Sequence, residues 1–273
     1  MVTFPRAKIN IGLNIIRKRE DGFHDIETIF YPTGLCDALE FVIPVEGLEA
    51  DTLTGTGFAA GCPVDDNLVV RAVRLLREDY EIPFLRIHLH KMIPPGSGLG
   101  GGSSDAAHML MLLNRYFDLG IANEVLMEKS LTLGSDCPFF IYGSPAIATG
   151  RGELFDKLGC FLEGNYLVIV HEGIHISTPI AYRNSKPHVR DTHLADLIGT
   201  PSHSWKNTIE NDFEEYAFSI HPRLAEIKES LYESGAWYSA MSGSGSAVYG
   251  LYSKKPERPS LIKGTIIYEG WLQ

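Results

Sequence analysis

Cysteine is scarce in this chain, and the few present do not sit close enough in sequence to act together. Cys36, Cys62, Cys137 and Cys160 are the only four in 273 residues, with no short paired spacing. That excludes a zinc-ligand pattern and a disulfide framework, and it suits reduced thiols in a cytoplasmic protein. Positive charge is short as well: 24 Lys and Arg stand against 34 Asp and Glu, a formal net charge of -10. A general binder of nucleic acid or of an anionic membrane needs the opposite sign, so an anionic ligand has to be met by a local arrangement. No apolar run reaches the roughly 20 residues of a membrane span. The opening Met1-Val2-Thr3-Phe4-Pro5-Arg6 has no apolar signal core. Internal repeats and low-complexity tracts are missing too. Oligomeric state has no signature in the sequence.

What is present centres on one stretch. After Pro94 and Pro95, glycine fills five of the seven positions from Gly96 to Gly102, at 96, 98, 100, 101 and 102. Such a backbone can adopt positive φ and lie against a ligand. Ser103 and Ser104 follow as N-cap candidates, with Asp105 as a first-turn acid, and Ala106, Ala107, Met109, Leu110, Leu112 and Leu113 continue as a helix. Exposed N–H groups feeding a helix N-terminus make an anion site, and phosphate is the natural guest. A flexible linker is the competing reading, but a linker does not normally join a strand to an apolar helix. A Walker A loop needs a terminal Gly-Lys-Ser/Thr, and no lysine occurs from Gly96 to Ala107. Gly96, Gly98 and Gly101 satisfy the dinucleotide fingerprint G-x-G-x-x-G. That fingerprint follows a buried parallel strand, whereas Leu85 to Lys91 alternates apolar and polar like a half-solvated antiparallel one. A nicotinamide-dependent oxidoreductase of the Rossmann type is thereby disfavoured; a phosphate-binding module without catalysis stays open.

Other segments are legible from their period. Ala7, Ile9, Ile11, Leu13 and Ile15 predict a strand with one buried face, leaving Lys8 and Asn10 side by side on the other, where a solvated face is the plain alternative. Asp21-Gly22 is a turn, and Phe23 to Phe30 reads as the next strand. Asn67 caps a helix from Leu68 to Leu76; a further helix runs from Asn123 to Leu133. Asp136 heads the apolar run Cys137 to Ile141, where capping is again the plain reading. Tyr166 to His171 is a buried strand, and Tyr182 lies on a helix face. Pro222 starts an amphipathic helix through Leu231 that stops at Gly235. A second glycine-serine loop spans Ser242 to Ser246. His188, His193 and His203 fit no metal-ligand spacing and read as solvated loop.

The whole string P-x-G-x-G-L-G-G-G-S-S-D-A-A, from Pro94 to Ala107, resembles the ATP loop of the GHMP kinases. Two more segments resemble that family's other motifs, in the same order: A-K-I-N-I-G-L-N from Ala7, and the Ser242-Gly243-Ser244-Gly245 loop. The resemblance implies an α+β, two-lobed GHMP kinase fold. Its parts are a ribosomal protein S5 domain 2-like N-terminal domain over residues 1–157 and a ferredoxin-like C-terminal domain over 158–273. It implies ATP and Mg²⁺ as cofactors, with Pro94, Pro95, Gly96, Ser97, Gly98, Leu99, Gly100, Gly101, Gly102, Ser103 and Ser104 around the phosphates and Asn67 near adenine. No dedicated carboxylate ligand for Mg²⁺ stands out, although Ser103, Ser104 or Asp105 can assist.

By the same resemblance Asp136, in G-x-D-C-P-F-F, takes the acceptor's proton, and Lys8 positions both the acceptor hydroxyl and that aspartate. An ordinary carboxylate is a weak base at neutral pH, so Asp136 would mainly orient the hydroxyl. D-G-F-H-x-x-E-T-x-F, from Asp21 to Phe30, resembles the cytidine-binding segment of the branch that acts on a cytidine diphosphate-linked methylerythritol, in isoprenoid biosynthesis. There an aromatic at Phe23 stacks on cytosine, His24 pairs with the base, and an aromatic at Tyr182 closes the other side. Tyrosine is usual at the first position, and phenylalanine keeps the π-face, so stacking worth about 1–3 kcal/mol is retained. Asn10, Thr178, Gly243 and Ser244 complete the implied substrate contacts. Another small-molecule kinase of this family, acting on mevalonate or homoserine, is the nearest alternative.

Overall fold

A computed structural model describes residues 1–59 and 61–273. The backbone forms two compact units, each assembled from separate stretches of chain. Met1–Ala7, Leu35–Pro95 and Gly100–Gly143 make the first; Lys8–Gly34, Gly96–Leu99 and Ser144–Gln273 make the second.

The first unit is built on a four-stranded sheet in the order Val2–Thr3, Ala38–Val42, Arg86–Lys91, Thr52–Gly57. In Arg86–Lys91 the buried residues are Ile87, Leu89 and Lys91, as alternation predicts. Its pairing is only half as expected: antiparallel to Ala38–Val42 but parallel to Thr52–Gly57. Alternation reports that one face is covered and carries no information on partner direction. Helix Leu68–Arg77 packs on helix Gly101–Tyr116, burying Val69, Val70, Ala72, Val73 and Leu76. Its predicted cap is present, since Asn67 Oδ1 accepts the Val69 N–H at 2.9 Å.

Helix Gly101–Tyr116 starts earlier than expected. Gly100, at φ +73°, is its N-cap, so Ser103 and Ser104 lie within the helix rather than capping it. A glycine turns the chain at positive φ without steric cost, and the helix begins where the loop ends. Asp105 is no exposed first-turn acid either; it is buried on Lys91. The next helix, Asn123–Ser130, stops short of the expected Leu133 and closes in a turn at Gly134.

The second unit holds two sheets. One has the order Tyr238–Met241, Val248–Tyr252, Tyr166–Val170, Ile266–Trp271, antiparallel throughout. All of Tyr166–Val170 is buried, and helix Pro222–Glu233 lays Leu224, Ile227 and Leu231 into the same core as Val168 and Val170. The other sheet has the order Arg6–Lys18, His24–Cys36, Ala146–Thr149, Leu154–Lys157.

Arg6–Lys18 departs from its predicted one-sided burial: everything from Ala7 to Ile15 is buried, both faces alike. The polar face is covered because its groups find partners. Asn14 Nδ2, for instance, donates to Glu27 Oε2 at 3.1 Å, and a hydrogen-bonded polar group can be buried where an unbonded one cannot. Phe23 falls outside its predicted strand, which begins at His24, and its ring is 47% exposed. Glu27 also accepts from His193 Nδ1 at 3.0 Å, and that histidine is an exposed loop residue as expected, with one partner.

Candidate active site

Within the second unit, the polar face of the first long strand meets both glycine loops. Lys8 is 3% and Asn10 2% exposed. The Lys8 ammonium donates to Asn10 Oδ1 and, at 2.9 Å, to the Gly98 carbonyl, and it lies 5.0 Å from the centre of the Phe30 ring. Asn10 is held by Nδ2 donating to Thr28 Oγ1 at 2.9 Å, and Thr28 donates on to the Gly12 carbonyl at 2.6 Å. A buried side chain on such a chain of fixed partners keeps one position.

The loop's carbonyls are taken one after another. Ala247 N–H donates to Ser97 O at 2.9 Å, Ser242 Oγ donates to Gly98 O at 3.0 Å, and Lys8 N–H donates to Leu99 O at 3.0 Å. Gly98 sits at φ +80°, and a Cβ on it would lie 1.9 Å from the Ser242 carbonyl oxygen. Gly243 comes near from the other loop, less tightly; its Cβ would lie 3.1 Å from Gly98 O and 3.4 Å from Lys8 Nζ. Here the absence of side chains is what lets the two backbones touch.

An aromatic group forms a second cluster in the same unit. His24 stacks on Tyr182 with ring centres 4.7 Å apart and planes 15° from parallel. Phe213 meets Tyr182 edge-on at 4.8 Å. Burial, with Lys18 as a lesser cause, pushes His24 below the ordinary histidine value, which keeps its ring neutral at pH 7. The Arg151 guanidinium lies over Phe23, 3.6 Å from the ring centre. Thr178 and Ser244 share a hydrogen bond of 2.7 Å between their hydroxyls.

The first unit carries the remaining sites. Asp136 stands at the start of helix Cys137–Tyr142, but its side chain makes no capping bond, so the plain capping reading does not hold. Ser103 bonds the Cys137 thiol, which burial pushes up to about 12, leaving the sulfur protonated and inert. Ser104 is fully buried and faces His108, at 3.4 Å between Oγ and Nδ1. Asn67 caps its helix and lines a cleft with Phe58, Cys62, Leu89 and Lys91. Among the described residues no group of three His, Cys, Asp or Glu side chains could hold a metal ion.

Two contributors escape a reading of the sequence. Ser242 stands in the second loop with no role of its own in the sequence pattern, which singles out Gly243 and Ser244, yet its hydroxyl is what reaches Gly98. Asn211 lies far from any motif, yet its Nδ2 donates to the carbonyls of Met241 and Gly243, each at 2.8 Å, while Oδ1 accepts from Phe213 N–H at 3.0 Å. An asparagine in N-D-F looks like an ordinary turn residue, and only its 3% exposure marks it out. Asn211→Ala strands two carbonyls and an N–H in a dry site. It is expected to cost about 1–3 kcal/mol and several-fold in kcat/KM. An unchanged thermal midpoint together with unchanged kinetics would show that these bonds do not hold the loop.

Known proteins similar to this chain share one family description. The GHMP kinases N terminal domain matches residues 67–144 and the GHMP kinases C terminal domain residues 194–263. The 4-diphosphocytidyl-2-C-methyl-D-erythritol kinase of Parabacteroides distasonis is 46% identical over 274 aligned positions, covering 100% of both chains. The enzyme of the same name from Porphyromonas gingivalis is 48% identical, covering 94% of each. A crystal structure of 4-(cytidine 5'-diphospho)-2C-methyl-D-erythritol kinase superposes with a TM-score of 0.76 at 33% identity, covering 92% of this chain and 90% of that one.

Proposed function

The chain belongs to the GHMP kinases, and from that premise we propose that it transfers the γ-phosphoryl group of ATP to the 2-hydroxyl of 4-diphosphocytidyl-2-C-methyl-D-erythritol. This is a step of the non-mevalonate route to isoprenoids. One observation carries the reading: the carbonyls of Ser97, Gly98 and Leu99 are all engaged by donors from the Lys8 strand and the second glycine loop. A loop whose carbonyls are occupied turns its N–H edge to the ligand, which is what a polyphosphate requires.

Phosphoryl transfer needs an aligned hydroxyl and neutralised phosphate charge more than covalent help. Lys8 supplies fixed positive charge beside the loop, and Gly98 to Ser103 carry the backbone that faces the phosphates. Asp136 orients the acceptor hydroxyl and accepts its proton as the bond to phosphorus forms. The cleft of Phe58, Cys62, Asn67 and Leu89 takes the adenine. Mg²⁺, if bound, would supply charge that offsets the phosphate oxygens. With no three-residue ligand cluster among the described residues, such an ion would be held mostly by the nucleotide, with the Ser103 hydroxyl as a protein oxygen that could assist.

Phe23, His24 and Tyr182 read the cytosine. The His24–Tyr182 stack and the Arg151 cover on Phe23 keep these rings ordered, and a neutral His24 can both donate to and accept from a base edge. The test is turnover: ADP release with ATP, Mg²⁺ and each of 4-diphosphocytidyl-2-C-methyl-D-erythritol, mevalonate and homoserine. Turnover of the cytidyl compound alone is expected; equal rates with the others would overturn the assignment. Phe23→Ala is expected to raise KM for the cytidyl substrate by roughly tenfold, the equivalent of one stacked base, with KM for ATP unchanged. An unaltered KM would remove the stacking role.

A further inference from the structure

Between strand Tyr166–Val170 and helix Thr178–Asn184 runs a short strap whose middle residue the reaction as described does not use. Gly173, at φ +72°, turns the chain, and Ile174 and Ile176 pack on the core that holds Val168 and Val170. Flanked by two isoleucines that face inward, His175 points outward and is exposed. The strap is fastened to the second glycine loop on both sides of this histidine. Ser246 Oγ donates to the Ile174 carbonyl, a Cβ on Gly245 would lie 3.1 Å from Ile176 Cδ1, and Thr178 shares its hydrogen bond with Ser244.

Held this way, the imidazole lies against the first glycine of the phosphate loop. A Cβ on Gly96 would sit 2.7 Å from His175 Nδ1 and 3.0 Å from its Cε1. The ring therefore occupies the space that a side chain at position 96 would fill, and Gly96, at φ +67°, has a backbone that favours having none. The carbonyls of Ser97, Gly98 and Leu99 are engaged from within the same unit, so the N–H edge of the loop is what remains for an anion. An imidazole beside that edge adds a side-chain N–H to the backbone ones. Donated to a phosphate oxygen, it makes a charge-assisted bond.

We propose that His175 is a phosphate-binding residue of this site, donating to a phosphate oxygen of the ligand seated at Gly96. The inference rests on the kinase reading and deepens it. Two ligands of that reaction carry such oxygens, the nucleotide donor and the diphosphate-linked acceptor. The chain continues from His175 through Thr178 to Tyr182, so one strap joins the glycine loop to the His24–Tyr182 stack. A ring that only props the loop acts through its shape, whereas one that binds phosphate acts through its nitrogens. Phenylalanine keeps the shape without a nitrogen, and glutamine keeps an N–H donor without the ring.

Steady-state kinetics of the full chain with Mg²⁺, varying ATP and the cytidyl acceptor in turn, compare wild type, His175→Phe and His175→Gln. His175→Phe is expected to raise KM for at least one of the two substrates by about tenfold with an unchanged thermal midpoint, and His175→Gln to stay within about threefold of wild type. A rise with ATP alone, or with the acceptor alone, names the source of the phosphate. Isothermal titration with ADP and with cytidine diphosphate reads the same contact without turnover. Where the Phe variant weakens a diphosphate, the parent nucleoside should bind both proteins alike. Wild-type KM values for both substrates in His175→Phe overturn the inference, as does a Gln variant that loses as much as Phe, or a nucleoside weakened as much as its diphosphate. In each of those cases the kinase reading stands. Absence of wild-type turnover overturns the kinase reading, and the diphosphate titrations then decide the role of His175 alone.

Discussion

Asp136→Asn is expected to lower kcat by about 10²–10⁴-fold while leaving the thermal midpoint and KM for ATP near their wild-type values. The expectation of a stable variant follows from the helix start it occupies. Asp136 contributes no capping bond to Cys137–Tyr142, so an isosteric amide removes charge without unseating the helix. The kinetic loss follows from its proposed task. An amide can still accept a hydrogen bond from the acceptor hydroxyl but cannot take the proton, so the deficit should fall on kcat. Steady-state kinetics with the cytidyl acceptor, alongside a thermal melt, separate these terms. A rate within a few-fold of wild type would remove Asp136 from the chemistry.

Asp37→Ala is expected to be the most destabilising single change, at about 3–5 kcal/mol. Its carboxylate serves Lys91 and two consecutive backbone N–H groups, all out of reach of water. Part of the loss is offset, because Asp105 can ionise and take over as the partner of Lys91. In a chain of this length each kcal/mol moves the thermal midpoint by about 2–4 °C, so a drop on the order of 10 °C should follow. The same substitution changes the pH dependence. In the wild type, the raised Asp105 carboxyl binds more protons in the native than in the unfolded state. Stability therefore falls as pH rises from the ordinary carboxylate range towards the raised native value. Buried Glu214, also pushed up by burial, adds a slope of the same sign. Once Asp37 is gone and Asp105 is ionised, the Asp105 part of that slope should vanish. Melts from pH 5 to pH 9 read both effects, and a midpoint within 2–3 °C of wild type (about 1 kcal/mol) would mean the cluster is not holding the fold.

Some of this was legible without coordinates. Asn67 caps Leu68–Arg77 as its residue type and spacing imply, and Pro222 opens its helix on schedule. The glycine loop sits between strand and helix as expected, and the motifs in the chain pointed to the GHMP kinases. Other features had no local signature. The polar face of Arg6–Lys18 was open to reading as solvated; it is buried because Gly98 and Ser242 meet its Lys8 and Asn10 side chains from 90 and 232 residues away. Ser103 and Ser104 looked like caps because serine usually is one, but the preceding glycine had already closed the turn. Asp105 has the sequence position of a helix-dipole acid, and only the fold buries it against Lys91.

By itself, then, the sequence determined the elements whose cause is local: periodic burial, a cap, a proline start, and the run Gly96 to Ser104 free of the side chains that would block a phosphate. Tertiary structure alone decided which groups meet that run. Lys8, Ser242 and Ala247 hold its carbonyls, Asn211 holds the second loop, and Lys91 meets two buried carboxylates, Asp37 and Asp105, under the first turn of its helix. The physical reason is one of range. Backbone conformation and amphipathic period are set by a residue and its near neighbours, whereas a hydrogen bond or ion pair across the fold depends on where distant segments pack, and its energy becomes decisive only once both partners have left water.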